Sequence, residues 1–345
     1  MVTIEARQAP IKLYGLPALE ETGAYHRLPP EIGEAVPTVN WLRKVPAGAR
    51  ARFRTDAGSF TVSVEYEPFR PEDIVYLRAQ TAATIYVNQK WSGDVLPESV
   101  LAGNKPAELE VRNHAGGMAD VTAYLPTARP ITRLTFTFPD GAKVEAPTPY
   151  PNEGKPILFY GSSITQGLHA SRPANTYVNQ IGRRMGLDIV NLGFSGNARG
   201  EPEIARYLAA LPMSVFVLDF DHNCPDIAML SERHEPFYRR VREENPDLPI
   251  LMISRPDGDS YPVFSNGMRK VIRATYDNAV AAGDRQVWFI DGRELFGEDD
   301  RDMCTVDGCH PNDLGSYRMA NRIRRELTEI LKANGNALLR KDIET

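Results

Sequence analysis

From residue 156 onward the chain repeats one pattern five times: "PILFYG", "LDIVNLG", "SVFVLDF", "PILMISR" and "QVWFIDG" are short, nearly uninterrupted apolar runs separated by stretches with helical spacing. Strands without polar alternation must be covered on both faces, and strands that alternate with helices are joined by crossovers. The pattern therefore specifies a parallel sheet between layers of helices, closed by a long helix over about Asn312–Ala333. In such α/β sheets ligands bind beyond the carboxyl ends of the strands, so the segments that follow the strands are where chemistry is to be sought.

The first part of the chain obeys a different rule. In "ARFRTDAGSFTVSVEYE" Phe60, Val62, Val64 and Tyr66 alternate with polar residues, the period of a half-buried strand. "RLTFTFPDGAKVEAP" repeats this through Leu134, Phe136 and Phe138 and predicts a turn at Pro139-Asp140-Gly141 into a partner strand carrying Val144. "IVYLRAQ", "ATIYVNQ" and "AELEVRN" read as further short strands, which together predict an all-β sandwich of jelly-roll type. "APTPYPNEGKP", Ala146–Pro156, has four prolines in eleven residues and continues neither a ladder nor a helix. The expected domains are therefore 1–150, the sandwich, and 151–345, the α/β domain.

Composition narrows the function classes. With 345 residues, 42% hydrophobic and 25% charged, the chain reads as a folded soluble protein with room for two cores. A net charge of -5 without basic blocks predicts no nucleic-acid partner and no membrane partner, and the arginines of "RMANRIRREL" read as a solvated helix face. No secretory leader and no long apolar span is visible, so a cytoplasmic location is expected. Three cysteines without a CxxC pair predict free thiols, and Cys309 beside His310 is not expected to act as a nucleophile.

The segments after the strands are "GSSITQG", "NLGFSGNARGEP", "DFDHNCP" and "VDGCHPNDLG". A serine hydroxyl reacts only when a base takes its proton, an acid orients that base, and donors await the oxyanion. "DGCHP" puts Asp307 and His310 three residues apart, so the carboxylate can fold back onto one imidazole nitrogen while the other faces outward. Gly196 leaves its backbone N–H open to an approaching carbonyl, and Asn223 offers a side-chain NH2; with the N–H of the serine itself they make three oxyanion donors. Which serine of "GSS" reacts, Ser162 or Ser163, is not decided by these residues. Asp219 and Asp221, with Asp307 and His310, suggest a hydrolytic metal site only faintly, since no HxH or HExxH pairing accompanies them, and no metal is expected. His169 and Arg172 in "HASRPANTY", with Phe194 and Tyr261, are candidate substrate-binding residues; Tyr86 and Trp91 are candidates for a carbohydrate-facing surface or for sandwich core.

These four blocks, in this order, resemble the SGNH hydrolases, also called GDSL esterases, named for Ser, Gly, Asn and His. "YHRLP" and "ARFRTDAGS" are similar to segments of a two-domain branch in which a β-sandwich precedes the hydrolase domain. The resemblance implies a flavodoxin-like α/β/α catalytic domain, Ser163 as nucleophile, His310 as base, Asp307 as its orienting acid, and Ser163, Gly196 and Asn223 as the oxyanion hole. It implies no cofactor. One departure stands out: Ser162 occupies the place of the usual Asp of Gly-Asp-Ser. By analogy with the branch, the expected substrate is a small-molecule ester, an acetylated carbohydrate, and assembly into a homo-oligomer is left open. The alternatives are a lipase-like or thioester acylhydrolase for longer acyl chains, and a glycan-binding protein with a vestigial hydrolase domain.

Overall fold

The alternation of Phe60, Val62, Val64 and Tyr66 becomes the strand Ser59–Tyr66, in which every second side chain is buried. In this computed structural model, which describes residues 1–68, 75–97, 105–256, 259 and 261–335, the chain forms two units. One comprises Met1–Pro29, Arg43–Pro149 and the short segment Ser171–Ala174; the other comprises Pro30–Leu42, Tyr150–Ala170 and the chain from Asn175 onward.

The first unit holds two antiparallel sheets. One has the order Val2–Glu5, Ile131–Phe138, Ser59–Tyr66, Ala107–Arg112. The other runs Val144–Glu145, Arg50–Thr55, Ala119–Tyr124, Ala83–Val87, Lys90–Val95, with Lys12–Tyr14 also paired to Arg50–Thr55. Phe53 of the second sheet meets Phe60, Phe136 and Phe138 of the first edge-on, with ring centroids 4.8 to 5.6 Å apart. These rings fill the space between the sheets, and aromatic pairs of this kind add about 0.5–1.5 kcal/mol each beyond their burial.

Two sequence expectations change here. The turn at Pro139-Asp140-Gly141 does not return Val144 to the strand it left; Val144–Glu145 pairs with Arg50–Thr55 in the other sheet. Thr55 Oγ1 donates to the Lys143 carbonyl at 2.8 Å, and Lys143 N–H donates to Asp56 Oδ1 at 2.8 Å, which fixes the crossing. The run "IVYLRAQ" begins at Ile74, outside the described residues, and its remainder contains a short helix, Leu77–Thr81, in place of a strand. Tyr76 and Leu77 are exposed, so their apolar character does not mark a buried strand face.

The second unit carries the parallel sheet. Its strands are β1 Ile157–Gly161, β2 Ile189–Gly193, β3 Val215–Asp219, β4 Ile250–Ile253 and β5 Val287–Ile290, one for each apolar run. The spatial order is β2-β1-β3-β4-β5, all parallel, and residues of β1 to β4 are buried throughout. This is the flavodoxin-like order, whose switch point lies between β1 and β3. Alternate residues of β1 serve opposite layers. Ile157 and Phe159 join the core formed with helices α2 Tyr177–Met185 and α6 Asp313–Ala333, while Tyr160 stacks at 4.9 Å on Phe237 of α4 Ile227–Glu244. A four-residue helix, α1 Ser163–Gln166, follows β1 directly; α3 Pro202–Ala209 follows β2, and α5 Pro262–Ala281 follows β4. Among the described residues no helix is long and apolar enough to cross a membrane.

A buried acid ties the sheet to α1 and α2. Asp219, at the end of β3, accepts hydrogen bonds from Thr165 Oγ1 at 3.1 Å and Tyr177 OH at 3.0 Å. Burial first, and the neighbouring Asp221 carboxylate second, push its carboxyl up to about 7. Folded protein therefore keeps a proton that unfolded chain has released above its ordinary carboxyl range, so raising the pH from that range to about 7 draws the equilibrium toward unfolding, and the loss levels off above it. Asp219→Asn, which cannot ionise, should lose stability against wild type at pH 5 and close that gap by pH 8. Urea unfolding of both proteins across this range checks it; a pH-independent difference would contradict it.

Candidate active site

The two serines after β1 have separate places. Ser162 is fully buried and caps α1, its Oγ accepting from Ile164 N–H at 3.2 Å. Ser163 is the first residue of that helix, and its Oγ lies 2.9 Å from His310 Nε2. A hydroxyl already committed as a cap is held in one rotamer, whereas the other meets a base.

His310 comes from the loop before α6. Its Nδ1 lies 2.7 Å from Asp307 Oδ2, while Asp307 Oδ1 accepts from the backbone N–H groups of His310 at 2.7 Å and Cys309 at 3.0 Å. Partial burial would raise the Asp307 carboxyl, but these hydrogen bonds outweigh it and hold it below the usual carboxylate range. The carboxylate thus accepts Nδ1–H and leaves Nε2 free to accept from Ser163, the tautomer assigned from this network. A bridge between Thr305 and Pro311 closes the loop, and Asn312 caps α6 by accepting from Leu314 N–H and Gly315 N–H.

The segment after β2 wraps against α1. A Cβ on Gly193 would stand 2.1 Å from the Gln166 backbone nitrogen, so only glycine permits the approach. Phe194 N–H then donates to the Gly161 carbonyl at 2.8 Å, and Ser195 N–H to Gln166 Oε1 at 2.8 Å. Gly196 is exposed with φ 70°, and a Cβ there would meet nothing within 4 Å; the left-handed backbone, not crowding, calls for glycine. Beyond it, Gly200 N–H donates to Tyr160 OH at 3.1 Å and Tyr160 OH to Glu201 Oε2 at 3.3 Å, anchoring the far end of the loop.

Asn223, in the short 3-10 turn Asp221–Asn223 after β3, brings its amide to Gly196. In one orientation Oδ1 accepts from Gly196 N–H at 3.1 Å and Nδ2 donates to the Phe194 carbonyl at 3.3 Å. In the other, the NH2 stands against the Gly196 N–H and neither bond forms. The Phe194 carbonyl also accepts from Asn197 N–H at 2.9 Å and Ala198 N–H at 3.1 Å. The first orientation satisfies both amide atoms and seats the Asn223 side chain against the Gly196 backbone.

The candidate binding residues separate. His169 is buried and its ring lies 4.7 Å from that of His310. Phe194 does not face a crevice with its side chain, which is fully buried beside Tyr160 at 6.4 Å. Tyr261 is exposed at the start of α5. Arg172 belongs to the first unit, its guanidinium 4.8 Å over the exposed Trp91 ring and 3.9 Å from Asp94, while Tyr86 packs against Tyr124 in a small core. Among the described residues, two groups have metal-ligand atoms within 4.8 Å of one another, His169 with Asp307 and His310, and Asp219 with Asp221 and His222. Protein donors already engage their carboxylates: His310 on Asp307, two hydroxyls on Asp219, and Arg255 N–H on Asp221 at 2.9 Å. The Asp219 brace was not singled out for this structural part by sequence, because Thr165 and Tyr177 look like ordinary helix residues. The only hint was a charged residue closing an apolar strand.

Residues 154–328 match the model of the GDSL-like lipase/acylhydrolase family. No curated protein matches the chain. Among solved structures, a protein described as a GDSL-like lipase from Bacteroides ovatus is 27% identical, with a TM-score of 0.84 over 96% of this chain and 98% of its own. A salicylyl-acyltransferase from a tetracycline biosynthetic pathway is 22% identical, with a TM-score of 0.79 over 98% and 99%. A family two carbohydrate esterase from Clostridium thermocellum, solved with cellohexaose, is 16% identical, with a TM-score of 0.61 over 83% and 93%. The chain belongs to the GDSL-like lipase/acylhydrolase family, with an α/β hydrolase domain of SGNH type preceded by a β-sandwich.

Proposed function

We propose that the protein is a serine esterase that cleaves carboxylic esters through an acyl-enzyme on Ser163. The observation that carries this is the continuous relay from Asp307 Oδ2 through His310, 2.7 Å on one side and 2.9 Å on the other, to Ser163 Oγ. Ser163 Oγ attacks the ester carbonyl carbon as its proton passes to His310 Nε2, and the carbonyl electron pair moves onto oxygen. The resulting oxyanion accepts from the N–H groups of Ser163 and Gly196 and from the Asn223 NH2. Collapse expels the alcohol, which takes the proton from His310. Water then adds to the acyl-enzyme, giving its proton to His310, and the acid leaves as Ser163 recovers its hydrogen. Asp307 stays ionised and keeps the imidazole in the tautomer that the first step needs.

The substrate we favour is an acetyl ester of a small carbohydrate, a small-molecule partner in keeping with the fold shared with a carbohydrate esterase solved with a cello-oligosaccharide. A second reading replaces water by an alcohol acceptor, since the salicylyl-acyltransferase shares the fold across both units. The chemistry up to the acyl-enzyme is the same, and added alcohol would divert it to a new ester.

Three outcomes follow for p-nitrophenyl acetate and acetylated sugars. Ser163→Ala should lose roughly 10⁴-fold or more in kcat. Ser162→Ala should keep measurable turnover while losing about 0.5–2 kcal/mol of stability with its cap. Asn223→Ala should lose about 100 to 1000-fold in kcat, and Asn223→Asp at least as much, because a carboxylate accepts from Gly196 and repels the oxyanion. Steady-state kinetics and thermal unfolding check all three; an active Ser163→Ala protein, or a dead Ser162→Ala protein that is folded, would contradict the assignment.

A further inference from the structure

The turn that leaves α1 contains a residue out of place. His169 adopts φ 70°, a left-handed conformation that few residues other than glycine take, although histidine, asparagine and aspartate take it more readily than most. Its side chain is nevertheless buried, 8% exposed, and its ring lies 4.7 Å from the His310 ring at 36° between planes. A ring nitrogen of His169 also lies within 4.8 Å of ligand-type atoms of both Asp307 and His310. A turn needs only glycine or asparagine at such a position, and neither would fill the space beside His310.

The His310 ring needs that support. The side chains of Asp307 and His310 are 39% and 23% exposed, so the relay stands near solvent. The hydrogen bonds at Nδ1 and Nε2 hold the ring at its edge only, and a ring that rocks about its bond to Cβ stretches both and carries Nε2 away from Ser163. We infer that His169 is a positioning residue whose ring packs against the His310 imidazole and holds it in the plane that joins Asp307 to Ser163. This rests on the esterase mechanism proposed above. Burial first, and the adjacent His310 second, favour the neutral form of His169 against the opposing pull of Asp307. His169 therefore packs as an uncharged ring and sets no second positive charge beside His310 when that residue takes the serine proton.

The test uses His169→Asn, which tolerates the left-handed backbone but removes the ring, and His169→Phe, which restores a flat ring. Both are checked for folding by thermal unfolding. With p-nitrophenyl acetate, His169→Asn should lose about tenfold to a hundredfold in kcat with KM within about twofold, and His169→Phe should recover most of the loss. In the free proteins the downfield proton resonance of His310 Nδ1–H should be sharp in wild type and His169→Phe and broadened in His169→Asn. An unchanged kcat and an unchanged resonance in His169→Asn would overturn the inference, as would folded His169→Phe being as impaired as His169→Asn. If wild type cleaves no ester, the esterase reading fails by itself, and the resonance still reports on the ring.

Discussion

The contact between Ser163 Oγ and His310 Nε2 is 2.9 Å long and joins residues 147 positions apart. Neither residue can secure it locally. Ser163 is carried on the end of a central buried strand, and His310 on a loop held between the bridge Thr305–Pro311 and the capped start of α6. A misplacement of about 1 Å in such a pair can cost on the order of a hundredfold in rate, so the rigidity of the sheet end is a condition of the chemistry proposed here. The same condition explains why the loop after β2 is sewn to α1 by Gly161, Gln166 and the close approach at Gly193.

Two carboxylates near this sheet end show how environment divides roles. Asp219 is buried, receives only neutral hydroxyls and lies beside Asp221, so its carboxyl is pushed up to about 7 and it serves as a brace. Asp307 is partly exposed and receives an imidazole and two backbone N–H groups, so it is held below the usual range and stays an anion. At Asp219 burial and the Asp221 carboxylate outweigh the lowering pull of His222 and the hydroxyls, whereas at Asp307 hydrogen bonding to the charged form outweighs burial. Only the second is suited to orient a base.

Much of the second unit was legible because its signal is strong. Five apolar runs became five parallel strands, and the asparagine before the last helical pattern became its cap. The segments after β1, β2 and β3, with "VDGCHPNDLG", could be named as a site because strand ends in such sheets converge, and the structure brings Ser163, His310 and Asp307 within hydrogen-bond reach and Asn223 beside Gly196. What escaped was set by tertiary context. Pairing of Val144 across the sandwich is decided by Asp56 and Thr55, far away in sequence, where a turn signal suggests only a local hairpin. Leu77–Thr81 is helical although the run "IVYLRAQ" that it closes reads as a strand. His169 was visible only as one candidate lining residue, because its left-handed backbone and its ring contact are properties of the folded turn.

The central claim is that Ser163, and not its neighbour, forms the covalent intermediate. An organophosphorus ester that forms a stable bond to activated serine, followed by proteolysis and mass spectrometry of the labelled peptide, tests it without knowledge of the natural substrate. Wild type should carry a single adduct, on Ser163, and His310→Ala none under the same exposure. An adduct on Ser162, or equal labelling of the His310→Ala protein, would contradict it.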